Sequence, residues 1–125
     1  MNQNAEADSD NNCIFCRIIR SEIPTSKVIE TETVIVIRDI QPQAPHHYLA
    51  IPKHHLPSLN DLSANDRKNV LPNLFEIADI CAEQLGFKST GYRTVINNQA
   101  QAGQTVFHLH MHILGGTRLR GDFGA

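Results

Sequence analysis

Positions 107–114 read Phe-His-Leu-His-Met-His-Ile-Leu, with imidazole and apolar side chains in alternation. A period of two predicts a β-strand over 107–114. Successive side chains of a strand point to opposite faces, so His108, His110 and His112 share one face at about 7 Å spacing while Leu109, Met111 and Ile113 face a core. The β-branched run Val34-Ile35-Val36-Ile37 predicts a strand over 33–39. A shorter strand over 27–30 precedes it across a tight turn at Thr31 and Glu32. Further strands are predicted over 47–51, ended by Pro52, and over 92–97. A short helix is expected from Ile14 to Arg20, ahead of Pro24. The period changes to helical over 63–85, where Leu71, Leu74, Phe75, Ala78 and Ala82 form one stripe. Ser63 with Asp66 resembles a capping box with Asp in place of Glu, and Gly86 is a natural stop. Pro72 should kink or split this helix. The pattern is α+β: a mainly antiparallel five-stranded sheet with one long helix and a short N-terminal helix.

The 125 residues suit one domain, assigned to 13–125. The polar, acidic stretch 1–12 reads as a disordered tail. It lacks the basic and apolar regions of a secretory signal, so the expected compartment is cytoplasmic. A net charge of −2 supplies no bulk attraction to nucleic acid or anionic lipid, and no apolar run approaches membrane-spanning length. Three cysteines are too few for a disulfide framework. Cys81 falls in the helical pattern and reads as a small core residue. Cys13-x-x-Cys16 is half a zinc site, a weak signal by itself.

Histidine can act as base, acid, nucleophile or metal ligand near neutral pH. The loop Asn97-Asn98-Gln99-Ala100-Gln101-Ala102-Gly103-Gln104-Thr105 leads into the histidine strand. It offers amide and hydroxyl donors, and Gly103 allows close backbone approach. Imidazoles beside neutral donors suit a phosphate ester or anhydride without a catalytic metal. A neutral imidazole can attack phosphorus and form a covalent intermediate. His110, flanked on both sides, is the natural nucleophile. A hydrolase using all three histidines as ligands of one ion fits poorly, because ligand bonds of about 2 Å cannot gather them.

His-Leu-His-Met-His-Ile-Leu resembles the signature of the histidine-triad (HIT) proteins, most closely the branch of histidine-triad nucleotide-binding proteins that are purine nucleoside phosphoramidases. The resemblance runs from Cys13 to Gly116. It includes Ile-Pro at 23–24, Arg-Asp-Ile-Gln-Pro-Gln-Ala-Pro at 38–45, His-Tyr-Leu-Ala-Ile-Pro-Lys at 47–53, Gly-Tyr-Arg at 91–93 and Gly-Gln-Thr-Val-Phe-His at 103–108.

The resemblance implies a HIT-like fold and a homodimer joined through the central strand and the long helix. It implies hydrolysis of the phosphorus–nitrogen bond of adenosine and guanosine phosphoramidates through a nucleotidyl-histidine. His110 would be the nucleophile, supported by the further active-site histidine His47, with His112 a phosphate contact and His108 the last member of the cluster. Asn97, Gly103, Gln104 and Thr105 would hold the phosphate and the departing amine. Thr105 stands where the family usually has serine. Asp39 would bind the ribose hydroxyls, and Ile14, Phe15, Ile18, Ile37 and Ile40 would line a slot for the purine. His46, adjacent to His47, faces the other way and reads as a surface residue. No cofactor is required for catalysis. A structural zinc held by Cys13, Cys16, His55 and His108 is implied by some bacterial members. Two other readings remain: a nucleotide-binding regulator with incidental hydrolysis, and a dinucleoside polyphosphate hydrolase.

Overall fold

The computed structural model describes residues 12–121, so most of the expected N-terminal tail lies outside the described residues. Five strands form one sheet: β1 (Lys27–Glu30), β2 (Val34–Arg38), β3 (His46–Pro52), β4 (Tyr92–Val95) and β5 (Met111–Gly115). Their spatial order is β1-β2-β3-β5-β4, and every neighbouring pair is antiparallel. A short helix, α1 (Ile14–Ile19), precedes them, and a long helix, α2 (Ala64–Gln84), lies between β3 and β4. This is the α+β architecture expected from the alternation and the helical stripe. β3 and β5 are paired on both sides, so their ladder groups are already used. The edges of the sheet are β1 and β4.

The sheet separates two apolar clusters. Val34, Val36, Tyr48, Ala50, Met111 and Ile113 pack with Leu74, Ile77, Ala78, Cys81 and Ala82 of α2. The opposite face sends Ile35, Ile37, Leu49 and Ile51 against Cys13, Phe15, Cys16 and Ile18 of the α1 region. Alternation along β2 and β3 therefore fills both clusters at once. Burial drives the Cys81 thiol up to about 11, in keeping with an inert core residue.

The capping box at the start of α2 is complete. The Ser63 hydroxyl accepts from the Asp66 N–H at 3.0 Å, and the Asp66 carboxylate accepts from the Ser63 N–H at 3.0 Å. Pro72 does not split the helix, which runs unbroken over Ala64–Gln84. Pro72 and Lys68, whose carbonyl loses its partner, are both exposed, so water can take that acceptor.

The histidine strand also departs from expectation. β5 begins at Met111 rather than at Phe107. Met111 is the last residue in register with β3, opposite Ala50. The partner strand ends at Pro52, which has no N–H to donate, and the Leu109 N–H turns instead to the Leu56 carbonyl at 2.7 Å. His108 and His110 thus precede the ladder, and only His112 lies in it. His46 is not the surface residue expected from the alternation. Its ring stacks on Phe87 at 4.4 Å, and its Nδ1 lies 2.8 Å from the Tyr48 hydroxyl.

Candidate active site

Leu49 pairs with His112, and His47 pairs with Leu114, which places His47 and His112 on the α1 side of the sheet. Two adjoining groups of side chains form there. The first is a Cys/His cluster of Cys13, Cys16, His55 and His108. The His108 Nε2–H donates to the Pro52 carbonyl at 2.7 Å, since a carbonyl can only accept, and this leaves the Nδ1 lone pair turned inward. That Nδ1 lies 3.3 Å from Cys13 Sγ, 3.5 Å from Cys16 Sγ and 3.1 Å from His55 Nδ1. His55 Nδ1 is 3.3 Å from Cys16 Sγ. A tetrahedral ion with bonds of about 2.0 Å to nitrogen and 2.3 Å to sulfur would set these edges at roughly 3.3–3.7 Å. The donor set and its spacing therefore fit a four-coordinate metal ion, with the Pro52 carbonyl orienting one ligand from behind.

The second group is a hydrogen-bonded relay. The backbone N–H of Gln43 donates to His47 Nδ1 at 3.0 Å, so neutral His47 carries its proton on Nε2. That Nε2 lies 2.9 Å from His112 Nδ1 and 3.3 Å from Asp39 Oδ2. It donates to His112 Nδ1, which leaves the His112 proton on Nε2. Asp39, His47 and His112 also come close enough together to suggest a second metal site. The Gln43 N–H argues against it, because the nitrogen that would bind the ion is the protonated one. His110 completes the arrangement. Its Nδ1–H donates to the His108 carbonyl at 2.8 Å, so Nε2 keeps a lone pair. The departure of residues 108–110 from the ladder is what leaves that carbonyl within reach of the ring. The His110 and His112 rings are 5.3 Å apart.

Burial pushes His110 below the ordinary histidine range. It brings His112 down to about 4, aided by the neighbouring His110 and His47 and opposed by Asp39. Burial also lowers His47, again against Asp39. All three are neutral at pH 7, the state in which an imidazole can be a nucleophile or a one-proton donor. No group of potential metal ligands among the described residues brings His108, His110 and His112 to one ion.

The loop before the triad is built around Gln104, which is 5 % exposed. Its Oε1 accepts from the Gln99 N–H at 2.7 Å, and its Nε2 donates to the Pro57 and Val106 carbonyls at 2.7 and 3.1 Å. The side chain expected to meet a phosphate is thus committed to the protein. Gln99 sits at φ 73, ψ 176, a region that L-residues avoid. Its side chain donates to Ser58 Oγ at 2.8 Å. Ser58 in turn donates to Asp61 at 2.7 Å. Gly103 adopts a left-handed φ of 91, Asn97 is half-buried and Thr105 is exposed.

Of the five apolar residues assigned to a purine slot, Phe15, Ile18 and Ile37 are buried in the second cluster, whereas Ile14 and Ile40 are 47 % and 95 % exposed. Asp39 Oδ1 accepts from the Gln41 N–H at 2.8 Å. Three contributors escaped the sequence reading. Gln43 acts through its backbone and leaves no side-chain signal. Gln99 holds a strained turn at a residue type that does not advertise it. Ser58 could have been found from its spacing to Asp61, which is that of a helix-capping pair.

The HIT domain family matches residues 20–119. The chain is 44 % identical over 106 residues to the purine nucleoside phosphoramidase of Escherichia coli (strain K12), covering 85 % of this chain and 88 % of that protein. A HIT family hydrolase from Legionella pneumophila Philadelphia 1 superposes with a TM-score of 0.85 at 40 % identity, over 89 % of this chain and 98 % of that one. A Zn-bound histidine triad family protein from Mycobacterium smegmatis superposes with a TM-score of 0.72 at 31 % identity, over 94 % of this chain and 82 % of that one.

Proposed function

This chain belongs to the HIT domain family, a family with hydrolase and phosphoramidase members, and we propose that it is a purine nucleoside phosphoramidase. It hydrolyses the phosphorus–nitrogen bond of adenosine and guanosine 5′-phosphoramidates. The observation that carries this reading is the His110 tautomer: with Nδ1–H on the His108 carbonyl, Nε2 is a neutral, unprotonated nucleophile beside His112. In the first step His110 Nε2 bonds to phosphorus and the P–N bond breaks. The amine departs with a proton supplied from the His112 side, whose Nε2–H is set by the His47–His112 hydrogen bond. Water then attacks the nucleotidyl-histidine, releases the nucleoside monophosphate and restores the proton.

Asn97, the backbone around Gly103 and Gln104, and the Thr105 hydroxyl surround the phosphate and the departing amine in this reading. Asp39 Oδ2 accepts from the ribose, and Ile14 and Ile40 offer apolar surface to the purine, next to Phe15, Ile18 and Ile37. Residues 13–125 act as one domain, in the cytoplasm, with neither nucleic acid nor membrane as a partner. The metal that suits Cys13, Cys16, His55 and His108 is zinc: a closed Cys₂His₂ set is structural rather than catalytic, and would tie α1 to the segment that leads into β5. The protein forms a homodimer through the free β4 edge and α2, where Phe75 is 54 % exposed.

The test is turnover of adenosine 5′-phosphoramidate. Wild-type protein is expected to release AMP, and His110→Ala to lose turnover while retaining AMP binding. Absence of turnover by the wild type, with AMP still bound, would favour a nucleotide-binding regulator. Near-normal turnover by His110→Ala would remove the nucleophile assignment. Metal analysis of protein purified without chelator is expected to give one zinc per chain, and Phe75→Asp to give a monomer by light scattering.

A further inference from the structure

The segment 13–19 lies outside the residues matched by the HIT domain family, yet one of its side chains touches the proposed nucleophile. Phe15 stands on α1 between Cys13 and Cys16. Its ring centroid is 5.1 Å from that of His110 with the planes at 82°, and 5.9 Å from that of His108 at 76°. At 6 % exposure it has little surface left for a purine. Both flanking residues are pinned. Cys13 Sγ accepts from the Cys16 N–H at 3.3 Å, the Cys13 carbonyl accepts from the Arg17 N–H at 3.1 Å, and both thiols face the Cys/His cluster. The cluster therefore fixes two surfaces that meet the His110 ring: the Phe15 ring, and the His108 carbonyl 2.8 Å from His110 Nδ1.

We propose that Phe15 is a positioning residue for His110. Tilting the imidazole plane about its Cβ–Cγ bond would take the Nδ1–H off the carbonyl and swing Nε2 off its present aim. The Phe15 ring, nearly perpendicular at 82°, restrains that tilt on one side, as the hydrogen bond does on the other. This inference rests on the reading of His110 as nucleophile.

Phe15→Leu keeps apolar bulk and removes the ring. Loss of an edge-to-face pair predicts a roughly two- to ten-fold fall in kcat for adenosine 5′-phosphoramidate, with KM within two-fold of wild type. Nitrogen-15 NMR of the His110 ring, which needs no substrate, is expected to show one Nδ1–H tautomer in the wild type and a mixture in the variant. A raised KM with unchanged kcat would overturn the proposal in favour of a base-binding role. An unchanged His110 spectrum would also overturn it. If Phe15→Leu loses its metal, the His110 spectrum of Phe15→Tyr, which keeps the ring, decides: one Nδ1–H tautomer is expected with the metal intact, and a mixture would overturn the assignment. If the wild type turns over no phosphoramidate, the proposed function fails, while the NMR comparison still decides the role of Phe15.

Discussion

Replacing Gln104 by alanine separates a scaffold role from a phosphate-binding role. The side chain is 5 % exposed and makes three hydrogen bonds, to the Gln99 N–H and to the Pro57 and Val106 carbonyls. Each such bond is worth about 1 kcal/mol net, so the substitution should cost about 3 kcal/mol. The loss also releases a brace on Gln99, whose backbone at φ 73, ψ 176 is held against its preference. An unfolding entropy of about 2.1 cal/mol/K per residue gives about 0.25 kcal/mol/K for 125 residues, so Tm should fall by about 12 °C. Thermal unfolding followed by circular dichroism, with zinc held saturating for both proteins, measures this directly. A fall of less than 3 °C combined with a large rise in KM would refute the reasoning, because it would mean that the amide serves the ligand rather than the loop.

Acid should unfold the protein partly through His112. Its folded value of about 4 lies below the unfolded 6.5, so the unfolded chain takes the proton first; the stabilisation is fully present above about 6.5 and is lost as pH falls toward 4. The shift is worth at most about 3 kcal/mol, so urea titrations between pH 7 and 4.5 should show a shallower decline for His112→Gln than for wild type, and parallel declines would contradict the assignment. At Gly115 a Cβ would overlap the Phe87 ring, which is itself stacked on His46. Gly115→Ala should therefore cost about 1–3 kcal/mol, with partial recovery on adding Phe87→Leu; purely additive losses in a double-mutant cycle would count against that clash. Ser63→Ala removes half of the capping box and should cost about 1 kcal/mol by denaturant unfolding, with activity unchanged.

What the chain reveals of itself follows from which interactions are local. The capping box, the β-branched β2 and the alternation of β5 are local, and each can be read from residue type and spacing. The point at which β5 leaves its partner is not local. It depends on Pro52, 59 positions before Met111, ending the strand opposite. The tautomers of His47 and His110 are set by backbone groups of Gln43 and His108, which residue identity does not encode. Gln104 was readable as an amide beside the triad, but whether it faced inward or outward was decided by carbonyls at Pro57 and Val106. The cover over His46 is likewise non-local, since the Phe87 ring that stacks on it lies 41 positions away, beyond the end of α2.

The central claim is that the three triad histidines differ, and that His110 alone forms the bond to phosphorus. Rapid acid-free quenching of wild-type protein during turnover of adenosine 5′-phosphoramidate, followed by peptide mass spectrometry, locates the adenylyl group. The adduct is expected on His110, formed and lost at rates compatible with turnover. An adduct on His108 or His112, or steady turnover with no adduct on any histidine, would contradict it.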